Sequence, residues 1–224
     1  MSDPGSGACL AIETSTRAGR IALMAHEGAE IIERELRPDA AHGSDLMPAI
    51  DSLMKEASLT PSQLTRVVVG RGPGSYTGLR VAAATALGLA RGTGAVAVGV
   101  PSFDSVAALG LEAGERGAVV TNAFGGNVYI AVYEGQEGPR VKTVTAPMSL
   151  EVDRAAEPLH AVDVLLASVD MSAAVKGPAT LERREPTPSA SALLQMGLAC
   201  TPDRDASQVT PLYLRPFEAK VRAR

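Results

Sequence analysis

The chain has 224 residues, 46% of them hydrophobic and 21% charged, an ordinary globular composition that excludes collagen-like, disordered and disulfide-scaffold classes. Aromatics are only 3% and Trp is absent, so the core has to be built from Ala, Val, Leu and Ile, and few side chains are available to stack on bases. The formal net charge of −4 argues against a protein that grips nucleic acid alone, because that affinity rests on Lys and Arg neutralising phosphates.

In chain order, residues 9–13 read as a buried strand, 14–19 as turn chemistry, 20–26 as a second strand and 30–36 as a third. Three strands joined by short loops make an antiparallel meander. A helix follows at 45–57, with Ser44 as N-cap and Pro48 tolerated in its first turn. Its apolar residues Leu46, Met47, Ile50, Leu53, Met54 and Ala57 fall on one face. Thr60-Pro61-Ser62-Gln63 has the form of a capping box with proline at the first helical position. A β-branched strand at 66–70 leads into a glycine-rich turn at 72–77, from which Ser75 or Thr77 caps a helix running to Arg91, with Gly92 placed to stop it. Residues 95–100 form a further strand.

The order then begins again. A helix at 102–113 is followed by a strand at 117–122, a turn at 124–127, a strand at 128–133, a turn at 134–138 and a strand at 139–144. The first strand of this set lies about 108 residues after the first strand of the other, a separation that points to duplication. A strand at 161–167 and a helix at 188–199, capped by Thr187, complete the second half, while 170–187 carry no period and read as a loop. The expectation is an α/β protein of two βββαβα-type domains, 1–101 and 102–224. Residues 214–224 hold Arg215, Lys220, Arg222 and Arg224 against Glu218, a net +3 that leaves −7 on the remainder. Such a basic end reads first as a solvated tail and second as a contact for a partner or polyanion.

Cys9 and Cys200 lie far apart without CxxC spacing, which suits reduced thiols in a cytoplasmic protein. No apolar run reaches the ~18 residues of a membrane span. The opening MSDPGSGACLAI lacks a basic n-region, so no signal peptide and no membrane partner are expected.

The best-defined local signal is Arg71-Gly72-Pro73-Gly74-Ser75-Tyr76-Thr77-Gly78-Leu79-Arg80, between a strand and a helix. Free amides and a helix dipole converge at such a place, which makes Thr14, Ser15, Gly72, Gly74, Ser75 and Thr77 candidate phosphate or nucleotide contacts. It is not a P-loop, since Leu79 follows Gly78, and Thr77 stands where a dinucleotide fingerprint needs glycine. Nor is it a nucleophile elbow, because residue 73 is Pro. A structural turn that packs the helix closely is the weightier reading of the loop. The helix after it is apolar almost all round, so it is covered on two sides. Gly78, Ala82, Ala83, Ala86, Gly88 and Ala90 would let a second helix approach, from this chain or from another protein.

These residues are recognisable together. The glycine segment, Leu10-Ala11-Ile12-Glu13-Thr14-Ser15-Thr16, His42-Gly43-Ser44-Asp45-Leu46-Met47-Pro48 and Pro211-Leu212-Tyr213-Leu214-Arg215 resemble the TsaB family of tRNA threonylcarbamoyladenosine biosynthesis subunits, over 9–133 and again over 209–215. The resemblance implies a duplicated fold similar to actin and the sugar kinases. It implies a non-catalytic subunit of the complex that transfers a threonylcarbamoyl group to the adenosine next to the anticodon of tRNAs reading ANN codons. The implied partners are a TsaD-type catalytic subunit, a TsaE-type ATPase, tRNA through the complex, and a second copy when the chain is alone. No cofactor of its own is implied, with ATP in the assembled complex. The interface expected from the two helices is Leu46, Met47, Ile50, Leu53, Met54, Leu79, Arg80, Ala83, Ala86 and Leu87.

One hairpin departs from the family pattern: where Asp-Ala-Arg-x-Gly-Glu-Val-Tyr is usual, this chain has Asn122-Ala123-Phe124-Gly125-Gly126-Asn127-Val128-Tyr129, without two acids and an arginine. His26, His42 and His160 include no pair four apart, so no metal site is signalled, and no catalytic residue is assigned. His42, Ser44 and Asp45 crowd one helix start, where Ser as cap and Asp at the positive end suffice. Two other classes stay open: an actin-like ATP-dependent kinase of a small molecule, and a self-associating scaffold.

Overall fold

The computed structural model describes residues 7–37, 42–200 and 206–215. Strand β1 (Ala8–Glu13) is buried along its whole length, because it has neighbours on both edges and packed layers on both faces. It pairs antiparallel with β2 (Arg20–Met24), which pairs antiparallel with β3 (Ile31–Glu35). On its other edge β1 runs parallel to β4 (Leu64–Gly70), and β4 to β5 (Val96–Val100), giving the order β3-β2-β1-β4-β5.

The alternation of a strand decides which layer each residue meets. Leu10 and Ile12 face a core with Leu46, Ile50, Leu53 and Met54 of α1 (His42–Glu56) and Ala82 and Ala86 of α2 (Tyr76–Thr93). Cys9 and Ala11 face the opposite core. Ser75 caps α2, its Oγ accepting the Gly78 amide at 3.2 Å. The helix passes through Gly92 and stops at Gly94, whose φ of 80° supplies the left-handed residue that a C-terminal cap needs.

After α3 (Ser102–Gly110) the pattern repeats. Strands β6 (Arg116–Phe124), β7 (Asn127–Gly135) and β8 (Val141–Glu151) form the meander. Helix α4 (Ala156–Leu159), β9 (Val164–Leu166), α5 (Val169–Ala174), β10 (Glu182–Arg184) and α6 (Ala190–Ala199) follow. The sheet order β10-β9-β6-β7-β8 reproduces that of the first sheet strand for strand. The fold is a duplicated actin-like α/β fold.

The second half differs from its sequence reading in several places, and its last helix is capped by Ser189 rather than Thr187. Residues 170–187 are not a plain loop: they hold most of α5 and all of β10, six and three residues long, too short for a period to register. They are fixed by Met171, Val175 and Leu181 in the core, and by Arg184, which grips Glu115 with both terminal nitrogens at 2.7 and 2.9 Å. Strand β8 runs on to Glu151, beyond 144, with register shifts against β7 that its polar sequence does not announce. Helix α3 ends at Gly110 rather than 113.

Helix α6, which the sequence division puts with the second domain, packs on the first sheet. Ala190, Leu193 and Leu194 meet Ala11, Ala22, Val68 and Val98. The helix is tied down at both ends. Glu33 of β3 accepts from Ser189 Oγ at 2.9 Å and the Ser191 amide at 2.8 Å, a negative charge at the positive end. Arg66 of β4 donates to the carbonyls of Gly197 at 2.6 Å and Leu198 at 3.0 Å, a positive charge at the negative end. Gly197 is required there, since a side chain would run into Val68. Helix α3 packs instead on the second sheet, through Phe103, Val106 and Ala107.

Residues 206–215 then cross back as a strap. The Leu212 amide donates to the Arg71 carbonyl, and Arg71 Nε to the Thr210 carbonyl, both at 2.8 Å. The Arg215 guanidinium donates to the carbonyls of Ala123 and Phe124 at 3.0 and 2.8 Å. The strap joins the start of the glycine loop to the tip of the β6–β7 hairpin. The basic end predicted beyond it lies outside the described residues.

Candidate functional site

The glycine loop meets the β1–β2 loop at the mouth of the cleft between the sheets. Thr14 and Ser15 are buried. Thr14 Oγ1 donates to the Gly78 carbonyl at 2.8 Å, and the Ser15 carbonyl accepts the Ser75 amide at 2.7 Å. The Gly72 amide donates to Ser102 Oγ at 3.0 Å. The Gly72 and Ser75 amides are therefore engaged in holding three loops together. Gly74 is small for the same reason: a Cβ there would run into the Ser15 carbonyl. Among the candidate phosphate contacts, Thr14, Gly72, Gly74 and Ser75 belong to this clamp, Thr77 is exposed on α2, and only Ser15 lines the cleft cavity.

Beneath the clamp lies Glu13, fully enclosed. Its Oε1 accepts the Ser15 amide at 2.6 Å, while Oε2 has no hydrogen-bond partner among the described residues. Burial outweighs the hydrogen bonds from Ser15 and Ser102 and raises its pKa above the ordinary 4.5.

The cavity encloses about 370 Å³ and is walled largely by apolar side chains, Phe103, Val106 and Leu166 among them. Its hydroxyls come from Ser15, Thr16, Thr121, Ser168 and Thr187, its carboxylates from Asp170 and Glu185. The β6–β7 hairpin contributes none of its departing residues. Asn122 Oδ1 accepts the Phe124 amide at 2.7 Å and Asn127 Nδ2 donates to the Gly125 carbonyl at 3.0 Å, so both amides are spent on the turn. Phe124, at φ 59°, points outward and is 75% exposed. Such a cleft can hold a small molecule by shape and hydroxyl contacts, with two of the glycine-loop amides already engaged within the chain. No group of three His, Cys, Asp or Glu that would hold a metal occurs among the described residues. Asp45, at the head of α1, is engaged by Arg37 through Nε at 2.9 Å, the terminal nitrogen at 2.6 Å and the backbone amide at 3.0 Å. Those contacts hold its carboxyl below the ordinary range. The side chain of His42 lies outside the described residues.

The expected partner face needs correction. Leu46, Ile50, Leu53, Met54 and Ala86 are buried in the core that covers the first sheet, and Leu79 and Ala83 are buried within this one chain as well. Met47 at 47% exposure and Arg80 remain outside, with Leu87 half-buried. The outward row of α2 is Thr77, Arg80, Ala84, Gly88 and Arg91, and that of α1 is Met47, Pro48, Asp51 and Lys55. A Cβ built on Gly88 meets nothing within 4 Å. Ala84 shares its outward row with Arg80 and Arg91, the charged residues that mark this side of α2. The spacing of 77, 80, 84, 88 and 91 is the signal that separates it. Arg80 lies over the Tyr76 ring, 5.3 Å from its centroid, and Tyr76 packs at 5.4 Å on Tyr213 of the strap.

Comparison with known proteins adds ancestry to this geometry. A family model described as TsaD, tRNA N6-adenosine threonylcarbamoyltransferase, matches residues 37–176. An uncharacterized protein of Mycobacterium leprae is 34% identical over 216 residues, covering 94% of this chain and 55% of that protein. The tRNA threonylcarbamoyladenosine biosynthesis protein TsaB of Bacillus subtilis is 33% identical over 129 residues, covering 58% of this chain and 56% of that protein. The chain thus spans about half the length of these two relatives. A Mycobacterium bovis protein, 32% identical, is matched over 93% of its own length and 94% of this chain. The solved structure of YeaZ from Pseudomonas aeruginosa superposes with a TM-score of 0.76 at 25% identity, covering 93% of this chain and 100% of that one.

Proposed function

This chain is a TsaB-like member of the TsaD, tRNA N6-adenosine threonylcarbamoyltransferase, family, and on that premise we propose that it serves tRNA threonylcarbamoyladenosine biosynthesis as a non-catalytic subunit. Its task in this reading is to dock a TsaD-type catalytic partner that acts on tRNAs reading ANN codons. A TsaE-type ATPase, tRNA and ATP enter through the assembled complex, and a second copy of the chain takes the same face when the partner is missing.

The observation that carries the reading is the outer surface of α1 and α2. Ala84 and Gly88 form a shallow strip, with Arg80 and Arg91 at its ends and Met47 on the neighbouring helix. Small residues four apart let a second helix approach closely, and a long side chain at its edge supplies apolar contact. The cleft lends less to a kinase reading, since the Gly72 and Ser75 amides of the glycine loop are engaged within the chain.

Charge placed on the strip tests the docking. Ala84→Glu projects into solvent in the free chain, so the fold should persist while co-purification with the TsaD-type partner falls at least tenfold. Retained binding by the folded variant would move the interface elsewhere. Ala83→Glu and Ala86→Glu are unsuited, because both positions are buried and a charge there would disrupt the fold itself. Calorimetry with Mg-ATP on the isolated chain separates the kinase alternative: micromolar binding with turnover would favour it.

A further inference from the structure

A second cavity, of about 580 Å³, shares no lining residue with the cleft. It lies where the end of β5, the start of α3, the β7–β8 turn and the last turn of α6 come together. Val100, Pro101, Pro139, Val141, Met196 and Ala199 make its walls apolar, and its size is that of a small-molecule site. Asp104 of α3 sets a carboxylate against these apolar walls, and Glu137 of the β7–β8 turn borders the cavity as well.

Asp104 Oδ1 accepts the hydroxyl of Tyr133, a side chain with no exposure, at 2.9 Å. A neutral acceptor would satisfy that hydroxyl equally well. The carboxylate brings a charge besides, and no described residue donates to its Oδ2. The charged groups facing the cavity are Glu137 and Arg140 of the β7–β8 turn, and Arg140 Nε donates to the Glu137 carbonyl rather than to Asp104. Helix α6 contributes only Gln195 as a polar side chain, and Cys200 just after it a thiol. Burial pushes Asp104 up to about 6, so near neutral pH it is an ionised group without a cation.

We propose that this cavity binds a small organic ammonium ion, the ammonium on Asp104 and its hydrocarbon body along the walls formed by β5, α6 and the β7–β8 turn. The site is independent of the partner-docking face, and nothing in it depends on the docking reading. Ion pairing inside an apolar surround gives the charge its selectivity, and the walls supply contact area.

Calorimetric titration of the full chain with hexylamine at pH 7.5, against hexanol and hexanoate as controls, tests the proposal. Hexylamine should bind saturably and at least tenfold more tightly than hexanol, with hexanoate weaker still. Asp104→Asn keeps an acceptor for Tyr133 and should reduce the amine to the affinity of the alcohol. Lowering the pH from 7.5 to 5 protonates Asp104, so amine affinity in the native chain should drop at least fivefold. Ala199→Trp, on an exposed helix position that borders the cavity, should block binding without reaching the carboxylate. Equal affinity for amine and alcohol, undiminished amine binding in folded Asp104→Asn or Ala199→Trp, or no saturable binding at all would overturn it.

Discussion

Glu13 sets burial against charge beside the cleft. It ends β1 under the glycine clamp, with one oxygen satisfied by Ser15 and the other without a hydrogen-bond partner among the described residues. An unpartnered buried acceptor costs on the order of 1–3 kcal/mol, and ionisation adds to it. Because its folded pKa lies above the unfolded 4.5, the folded state holds its proton longer. The associated stability is fully present below about pH 4.5 and is lost as pH rises through the folded value. Glu13→Gln, which offers an N–H where the orphan oxygen stands and does not ionise, should be more stable than the native chain at pH 8 by about 1 kcal/mol or more. The gap should close toward pH 4. Urea unfolding at the two pH values checks this, and a destabilised Gln variant at pH 8 would assign the carboxylate a role that its surroundings do not show.

Among the elements, α6 shows how distant parts of the chain complete one another. It begins and ends on charges from β3 and β4, more than 120 residues earlier by the separation of Arg66 from Gly197. Glu33→Ala and Arg66→Ala should each lower unfolding free energy by about 1–2 kcal/mol, by loss of a charge-assisted hydrogen bond at a helix end. Denaturant melts of each single variant measure it, and no change from either would mean that apolar packing alone holds the helix.

Most elements of the first half are legible in the sequence because each carries its own local signal. Val67 to Val69 announce a strand, Ser75 a cap, and Leu46 to Met54 a helical face. The second half is less legible, since α5 and β10 are too short to repeat a period. The placement of α6 depends on partners that local patterns do not reach. The glycine loop is legible as a turn, and Gly74 against Ser15 explains why. The proposed docking face is legible only in outline: no local pattern in α1 and α2 separates their core residues from Met47, Ala84 and Gly88, because the fold alone fixes which are buried.

At the scale of the molecule, two copies of one sheet order have diverged in what they carry. The first presents two long helices outward, and the second has reduced their counterparts, α4 and α5, to four and six residues. The strap from Arg71 to Arg215 binds the copies together at the glycine loop, next to the end of α2 that carries Tyr76 and Arg80. This asymmetry favours partner docking on the first copy, since only there, among the described residues, does a broad helical surface remain uncovered.

Hydrogen–deuterium exchange of the chain, alone and with a TsaD-type catalytic partner, tests that claim most directly. Slowed exchange over residues 44–55 and 76–91, with the cleft segments 166–170 and 185–188 unchanged, is the predicted result. Protection confined to the cleft, or no protection on either helix in a complex shown to have formed, would contradict it.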